Sequence, residues 1–240
     1  MNLWRFDNAN SLYYALISTL SEEVKTIVAE GRDPVFLLPT GNTMIPFYHL
    51  AIENQEKLQI SKWKCFNLDE YYPLPEKNLS YSFEHFMNQH FYGKLAAPVT
   101  SRDQLDGTKL DPTAECARYE ARLKEVGPVD LALLGIGTNG HVAFNEPHME
   151  FNTRTRLVEL HEETLMANFK GSAPAHSALT VGLGTILEAR KIFILALGKN
   201  KATAVKCATQ DIASRGCPAS VLQTHPAVTW FLDQEASALT

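Results

Sequence analysis

The sequence predicts an α/β fold: a mostly parallel sheet with helices on both faces, a Rossmann-like three-layer sandwich. Two observations carry this. Short runs of Val, Ile, Leu and Phe, apolar on both faces, recur along the chain as buried parallel strands should. Longer amphipathic stretches alternate with them, as crossover helices do. No repeat, low-complexity stretch or linker interrupts the pattern, so one domain over 1–240 is expected, long enough to bury a sizeable core without staples.

The elements follow in chain order. A helix is expected over 11–30, with Leu12, Ala15, Leu16 and Leu20 on one side. A strand (VFLL, 35–38) leads to a helix over 43–55. A second strand (KCFN, 64–67) precedes a helix over 82–91 and another over 112–126, whose first turn after Pro112 is polar through Thr113 and Glu115. Strands at 131–134, 192–197 and 228–232 complete the sheet, with a helix over 199–209 between the last two.

Composition narrows the function. The chain is 45% apolar and 20% charged, as ordinary globular proteins are. Its net charge is −5 and no block of Lys or Arg stands out, which argues against nucleic acid and anionic membranes as partners. Cys65, Cys116, Cys207 and Cys217 form no C-x-x-C pair, so reduced thiols are expected and no metal site, with Cys65 and Cys207 in the core. No apolar run has the length of a membrane span and no basic flank precedes an apolar segment at the start, so a cytoplasmic setting is expected.

Open parallel sheets bind ligands beyond the carboxyl ends of their strands. Four such ends carry unusual chemistry here. After 35–38 comes Pro39-Thr40-Gly41-Asn42-Thr43, a glycine turn opening a helix. Free backbone N–H groups there favour a phosphate or carboxylate, and the Thr40 and Thr43 hydroxyls can add donors. The alternative is a plain turn with Thr43 as N-cap. After 64–67 comes Leu68-Asp69-Glu70-Tyr71-Tyr72-Pro73, two adjacent carboxylates among aromatics. Partial desolvation makes one of them a candidate general base; the alternative is a solvated acidic turn.

After 131–134 comes GIGTNGHVAFNEP, whose glycines fit G-x-G-x-x-G. A dinucleotide site needs a long helix from the third glycine and an acid at the end of a new strand about 20 residues on. Phe144, Asn145 and Pro147 speak against the helix, and Glu159 or Glu162 is not so placed. The glycines read instead as a sharp turn that delivers His141 and Glu146 to the mouth of the sheet. A His oriented by a carboxylate is a proton shuttle near neutral pH; a structurally satisfied His is the alternative. After 192–197 comes Gly198-Lys199-Asn200-Lys201, a second glycine turn with lysines able to clamp the same anion.

Together, LPTGNT at 38–43, NLDEYYPLP at 67–75, LLGIGTNGHVAFNEP at 133–147, TRTR at 153–156, ALTVGLGTILEARKIFILALGKNKATAV at 178–205 and PASVLQTHPAVTWFLDQEA at 218–236 resemble the glucosamine-6-phosphate isomerase/deaminase family nearly end to end. The related 6-phosphogluconolactonases share the fold and a D-E pair but normally lack N-E-P after G-H. The resemblance implies conversion of glucosamine 6-phosphate and water to fructose 6-phosphate and ammonia, without cofactor or metal. By it, Asp69 matches the enolisation base, His141 the ring-opening proton acceptor and Glu146 its supporting carboxylate. Thr40, Gly41, Asn42 and Thr43 match the phosphate turn, and Lys201 the phosphate lysine.

Departures from the family pattern are informative. Asn139 stands where many members have an Asp that takes part in ring opening. It can fix the imidazole tautomer but cannot stabilise imidazolium by charge. Lys170 stands at the phosphate arginine, a point charge in place of a fork. His148-Met149-Glu150 replaces a stretch that binds an allosteric N-acetyl sugar phosphate in longer members. Val158 replaces a lysine there while Arg156 is kept, so no activation by that effector is expected. Galactosamine 6-phosphate is the alternative substrate, and more distant alternatives are a sugar lactonase or a non-catalytic sugar-phosphate sensor. The partner implied is a small amino sugar phosphate, and the family's range of assemblies admits a homo-oligomer.

Overall fold

The computed structural model describes residues 1–161, 164–165, 175–210 and 212–240. Its main sheet has seven strands in the order β1-β10-β9-β6-β2-β3-β5, every neighbouring pair parallel. These are β1 (Asn2–Phe6), β2 (Val35–Leu38), β3 (Lys64–Asn67), β5 (Ser101–Asp103), β6 (Leu131–Gly135), β9 (Lys191–Ala196) and β10 (Val228–Asp233). A second sheet, β4 (Asp69–Tyr72), β8 (Ser177–Thr180) and β7 (Arg156–Glu159), is antiparallel and has β8 in its centre.

Successive residues of a strand face opposite sides, and the core divides accordingly. Phe36, Leu38, Leu131 and Leu133 pack with Leu12, Leu16 and Leu20 of α1 (Ala9–Ala29), and with Phe47 and Tyr48 of α2 (Ile45–Glu53). Val35, Leu37, Ala132 and Leu134 pack on the other face with Tyr119 and Leu123 of α4 (Pro112–Val126). The predicted three-layer sandwich is thus the observed one. α3 (Phe83–His90) starts after Ser82, whose hydroxyl caps the His85 N–H. α4 covers the predicted 112–126, with Asp111 capping the N–H groups of Thr113 and Ala114.

The differences have local causes. The expected 43–55 helix is a 3-10 turn (Asn42–Met44) followed by α2, with Gly41 and not Thr43 at the N-cap position. The 199–209 helix likewise opens as a 3-10 turn (Lys199–Lys201) before its α-helical part, α5 here (Ala202–Gln210). Cys65 is fully buried but Cys207 only half-buried, and all four cysteines are free. No helix among the described residues is long and apolar enough to cross a membrane.

The chain lays down β2, β3 and β5 in one direction, then β6, β9 and β10 in the other. The reversal falls between β2 and β6, the topological switch point where ligands bind in such sheets. The carboxyl ends of β9, β6, β2 and β3 stand side by side there.

Candidate active site

The acidic pair continues the chain beyond β3 as the edge strand of the small sheet. Asp69 pairs with Thr180 and Glu70 with Leu179, so their side chains leave on opposite faces. Glu70 accepts the N–H groups of Phe83, Glu84 and Tyr71 at 2.9, 3.1 and 2.9 Å. It therefore fastens the first turn of α3 to β4, a structural task. The Asp69 carboxyl, 8% exposed, meets no donor among the described residues. Burial, reinforced by the Glu70 charge, pushes it up to about 8. Burial also raises Glu70, to about 7, with its backbone donors pulling against the rise. The solvated-turn alternative fails for both residues.

β8 stitches Asp69 to the loop after β6. The Val181 N–H reaches the Leu68 carbonyl at 2.8 Å. The Thr180 hydroxyl accepts the Phe144 N–H at 3.1 Å, and the Asn145 amide donates to the Val181 carbonyl at 2.9 Å. The loop itself turns on its glycines. The Gly137 N–H donates to the His141 carbonyl at 2.9 Å, and a Cβ on Gly137 would lie 2.3 Å from the imidazole. The glycine that looked like a cofactor signal makes room for the histidine.

His141, Asn139 and Glu146 form a chain. The Asn139 amide nitrogen donates to Glu146 Oε2 at 2.9 Å, and Asn139 Oδ1 lies 2.8 Å from His141 Nδ1. A carboxylate accepts only, so the amide nitrogen must face it and the amide oxygen must face the ring. Nδ1 then carries the proton and Nε2 holds the free lone pair. Glu146 Oε2 also lies 3.5 Å from Nδ1, and the Thr164 hydroxyl donates to Oε1. Burial alone would raise the fully buried Glu146, but the His141, Thr164 and Asn139 contacts outweigh it and hold the carboxyl down near 2.

Two glycine turns form the other end. Gly41 has φ 101° and ψ 162°, and Gly198 has φ 87° and ψ 153°. Each precedes a 3-10 turn closed by its own carbonyl, to Met44 N–H at 2.9 Å and to Lys201 N–H at 3.0 Å. In the first, the N–H groups of Thr40, Gly41, Asn42 and Thr43 find no acceptor among the described residues. In the second, both oxygens of Asp233 accept the Gly198 N–H at 3.0 and 3.1 Å, and Glu235 accepts that of Lys199 at 3.2 Å. Lys201 is half-buried, pairs with no carboxylate among the described residues, and has its pKa lowered by burial. Tyr13 links the turns: its hydroxyl donates to the Thr43 carbonyl at 2.6 Å and lies in the field of Asp233. Lys170 falls outside the described residues. Sequence reasoning did not single out Tyr13, Tyr48, Thr164 or Asp233, since a tyrosine or threonine in an amphipathic stretch carries no signal of its partner.

The chain matches, over residues 7–230, the family model described as glucosamine-6-phosphate isomerases/6-phosphogluconolactonase. It is 41% identical over 214 residues to the glucosamine-6-phosphate deaminase of Halothermothrix orenii, covering 86% of this chain and 88% of that one. It is 38% identical over 225 residues to glucosamine-6-phosphate deaminase 1 of Giardia intestinalis, covering 90% and 84%. Among solved structures, a monomeric glucosamine-6-phosphate deaminase superposes with a TM-score of 0.92 at 33% identity over 100% of both chains. A 6-phosphogluconolactonase from Thermotoga maritima shares the fold, with a TM-score of 0.76 at 18% identity, covering 97% and 99%.

Proposed function

The chain belongs to the family of glucosamine-6-phosphate isomerases and 6-phosphogluconolactonases, and from that premise we propose that it is a glucosamine-6-phosphate deaminase. It converts glucosamine 6-phosphate and water to fructose 6-phosphate and ammonia. The observation that carries the reading is Asp69: a buried carboxyl without a donor among the described residues, stitched through Thr180 to the loop that bears His141.

The geometry supports the following roles. Ring opening moves a proton from the anomeric hydroxyl to the ring oxygen. His141 Nε2 accepts and returns it, because Nδ1–H is held by Asn139. The Glu146 carboxylate steadies the imidazolium formed in between, supplying the charge that Asn139 lacks. Asp69 then takes the C2 proton of the open chain, giving an enolamine, and passes it to C1, while the C1 oxygen gains a proton and the C2 amine gives one up. The resulting C2 imine adds water and loses ammonia. The phosphate rests on the free amides of Thr40, Gly41, Asn42 and Thr43 with Lys201 as counter-charge, and Lys170 is assigned the same charge role from the sequence alone. These steps use acid–base groups and an anion anchor, within one domain spanning 1–240 and a cytoplasmic setting. Any homo-oligomer is read by sedimentation of the purified chain.

Asp69→Asn tests the base. Ammonia release from glucosamine 6-phosphate should fall on the order of 100-fold or more in kcat, with galactosamine 6-phosphate as the second substrate in the same assay. Near-normal turnover would remove Asp69 from its role. For the wild type, kcat/KM should rise with pH as Asp69 ionises, toward a value of about 8 in the free enzyme. Stability moves the other way. Between its ordinary value of 3.8 and about 8, Asp69 is protonated in the folded chain and ionised in the unfolded one. The folded state then binds more protons, so stability falls as pH rises through that window. Asp69→Asn should therefore melt higher than wild type at pH 8, with the gap closing toward pH 4.

A further inference from the structure

The turn at 39–43 is gripped at its two ends by hydroxyls that the reaction does not use. Tyr48, fully buried on α2, donates to the Pro39 carbonyl at 2.5 Å. Tyr13, 4% exposed on α1, donates to the Thr43 carbonyl at 2.6 Å. Packing does not call for either hydroxyl. The Tyr48 ring sits 5.2 Å from Phe47 and 4.9 Å from Phe91. The cluster around both tyrosines is formed by apolar and aromatic side chains, where phenylalanine would fill the same space without a polar atom to satisfy.

The consequence lies in the peptide planes. A trans peptide is planar, with its C=O and N–H on opposite sides. Holding the Pro39 oxygen against Tyr48 turns the Thr40 N–H away from α2. The Gly41 oxygen is already committed to the Met44 N–H, which aims the Asn42 N–H out of the helix start. Holding the Thr43 oxygen on Tyr13 fixes the far end. The Tyr48 contact thereby orients the Thr40 N–H, the Gly41 carbonyl orients that of Asn42, and the Tyr13 contact anchors the end of the turn at Thr43, so part of the ordering cost is met on folding instead of on binding. Burial keeps both phenols protonated, Tyr13 pushed up to about 12 and Tyr48 well above its ordinary value, so both remain donors across the working pH range.

We propose that Tyr13 and Tyr48 are positioning residues that preset the 40–43 amides for the substrate phosphate, an inference that rests on assigning this turn to the phosphate. Each is remote in sequence from the other and neither needs to touch substrate. The test is Tyr13→Phe and Tyr48→Phe, each assayed for kcat, KM and inhibition by inorganic phosphate, with thermal melting of the ligand-free protein alongside. Each variant should raise KM and the phosphate inhibition constant together by about 5- to 10-fold, the net worth of one hydrogen bond, with kcat within about 2-fold of wild type. A purely structural role would lower the melting temperature and leave both constants unmoved, and that result would overturn the proposal. If one variant fails to fold, the other carries the test alone, since the two grips act on opposite ends of the turn. Lys201→Ala separates the two levels of the argument. Unchanged KM and phosphate inhibition there would sink the phosphate assignment and the proposal with it. Large increases there, beside unmoved constants in the two tyrosine variants, would sink the tyrosine inference only.

Discussion

The turns at Gly41 and Gly198 share a backbone and differ in what fills them. Both place a positive-φ glycine before a 3-10 turn at the carboxyl end of a parallel strand. The first leaves its amides without an acceptor among the described residues, while the second closes on the carboxylates of Asp233 and Glu235. A nest of amides attracts an anion wherever it forms. Here one nest is filled by the chain's own carboxylates, and the other meets none among the described residues. The filled nest contributes a side chain, Lys201, and the open one contributes backbone. The two turns therefore differ in the state of their hydrogen-bond donors and not in their backbone conformation, and the anchor role proposed for the first rests on that difference.

The largest expected effect on substrate binding breaks the division of labour between the two turns at its charged half. Lys201→Ala removes a half-buried cation without a carboxylate partner among the described residues. A hydrogen bond to a charged group is worth about 1.5–3 kcal/mol, so KM for glucosamine 6-phosphate should rise roughly 10- to 100-fold. An unchanged KM in steady-state assays would remove the lysine from the phosphate.

A double-mutant cycle sharpens the comparison. Gly41→Ala and Gly198→Ala each force an L side chain to φ near 101° or 87°, at a cost of order 1–3 kcal/mol. Both should raise KM by about 10-fold, by different routes. If the second turn acts only by aiming Lys201, Gly198→Ala adds little once Lys201 is alanine. Gly41→Ala should keep its full increment in that background if, as proposed, its amides meet the phosphate directly. Equal increments for both glycines in the Lys201→Ala background would mean that both turns bind phosphate through their amides.

The sequence made some of this legible and hid the rest for physical reasons. β2 and β6 announce themselves because strands buried on both faces are continuously apolar. The small sheet does not: β4 reads DEYY, with two charges in four residues, and finds its partner β8 more than a hundred positions later. β1, at the edge of the main sheet, is largely exposed and lacks an apolar run. In the candidate site, Asp69, His141 and Glu146 stand out in the sequence because such residue types at strand ends of a parallel sheet are informative, and their proposed roles come from the family resemblance. That Asp69 and not Glu70 lacks a donor among the described residues was not legible, since it depends on where α3 begins. The tyrosine grips were invisible for the same reason. Tyr13 and Tyr48 look like core residues, and only the fold reveals that their hydroxyls end on the carbonyls of one turn.

The smallest expected effect concerns the internal anion itself. Asp233 ends β10, and besides the Gly198 N–H it accepts that of Ala236 at 2.7 Å. Asp233→Asn keeps an acceptor oxygen in place but removes the charge. The filled turn should loosen, because charge-assisted bonds are about twice as strong as neutral ones, and stability should drop by about 1–2 kcal/mol in denaturant titration. Substrate binding is pulled two ways. A looser turn aims Lys201 less well, while one carboxylate fewer near the phosphate lessens repulsion. The opposed changes should leave KM within about 3-fold of wild type, far below the Lys201→Ala effect. A KM that rose as far as in Lys201→Ala would show that the internal carboxylate is what holds the lysine in place, and the second turn would then be an anchor set by its anion more than by its backbone.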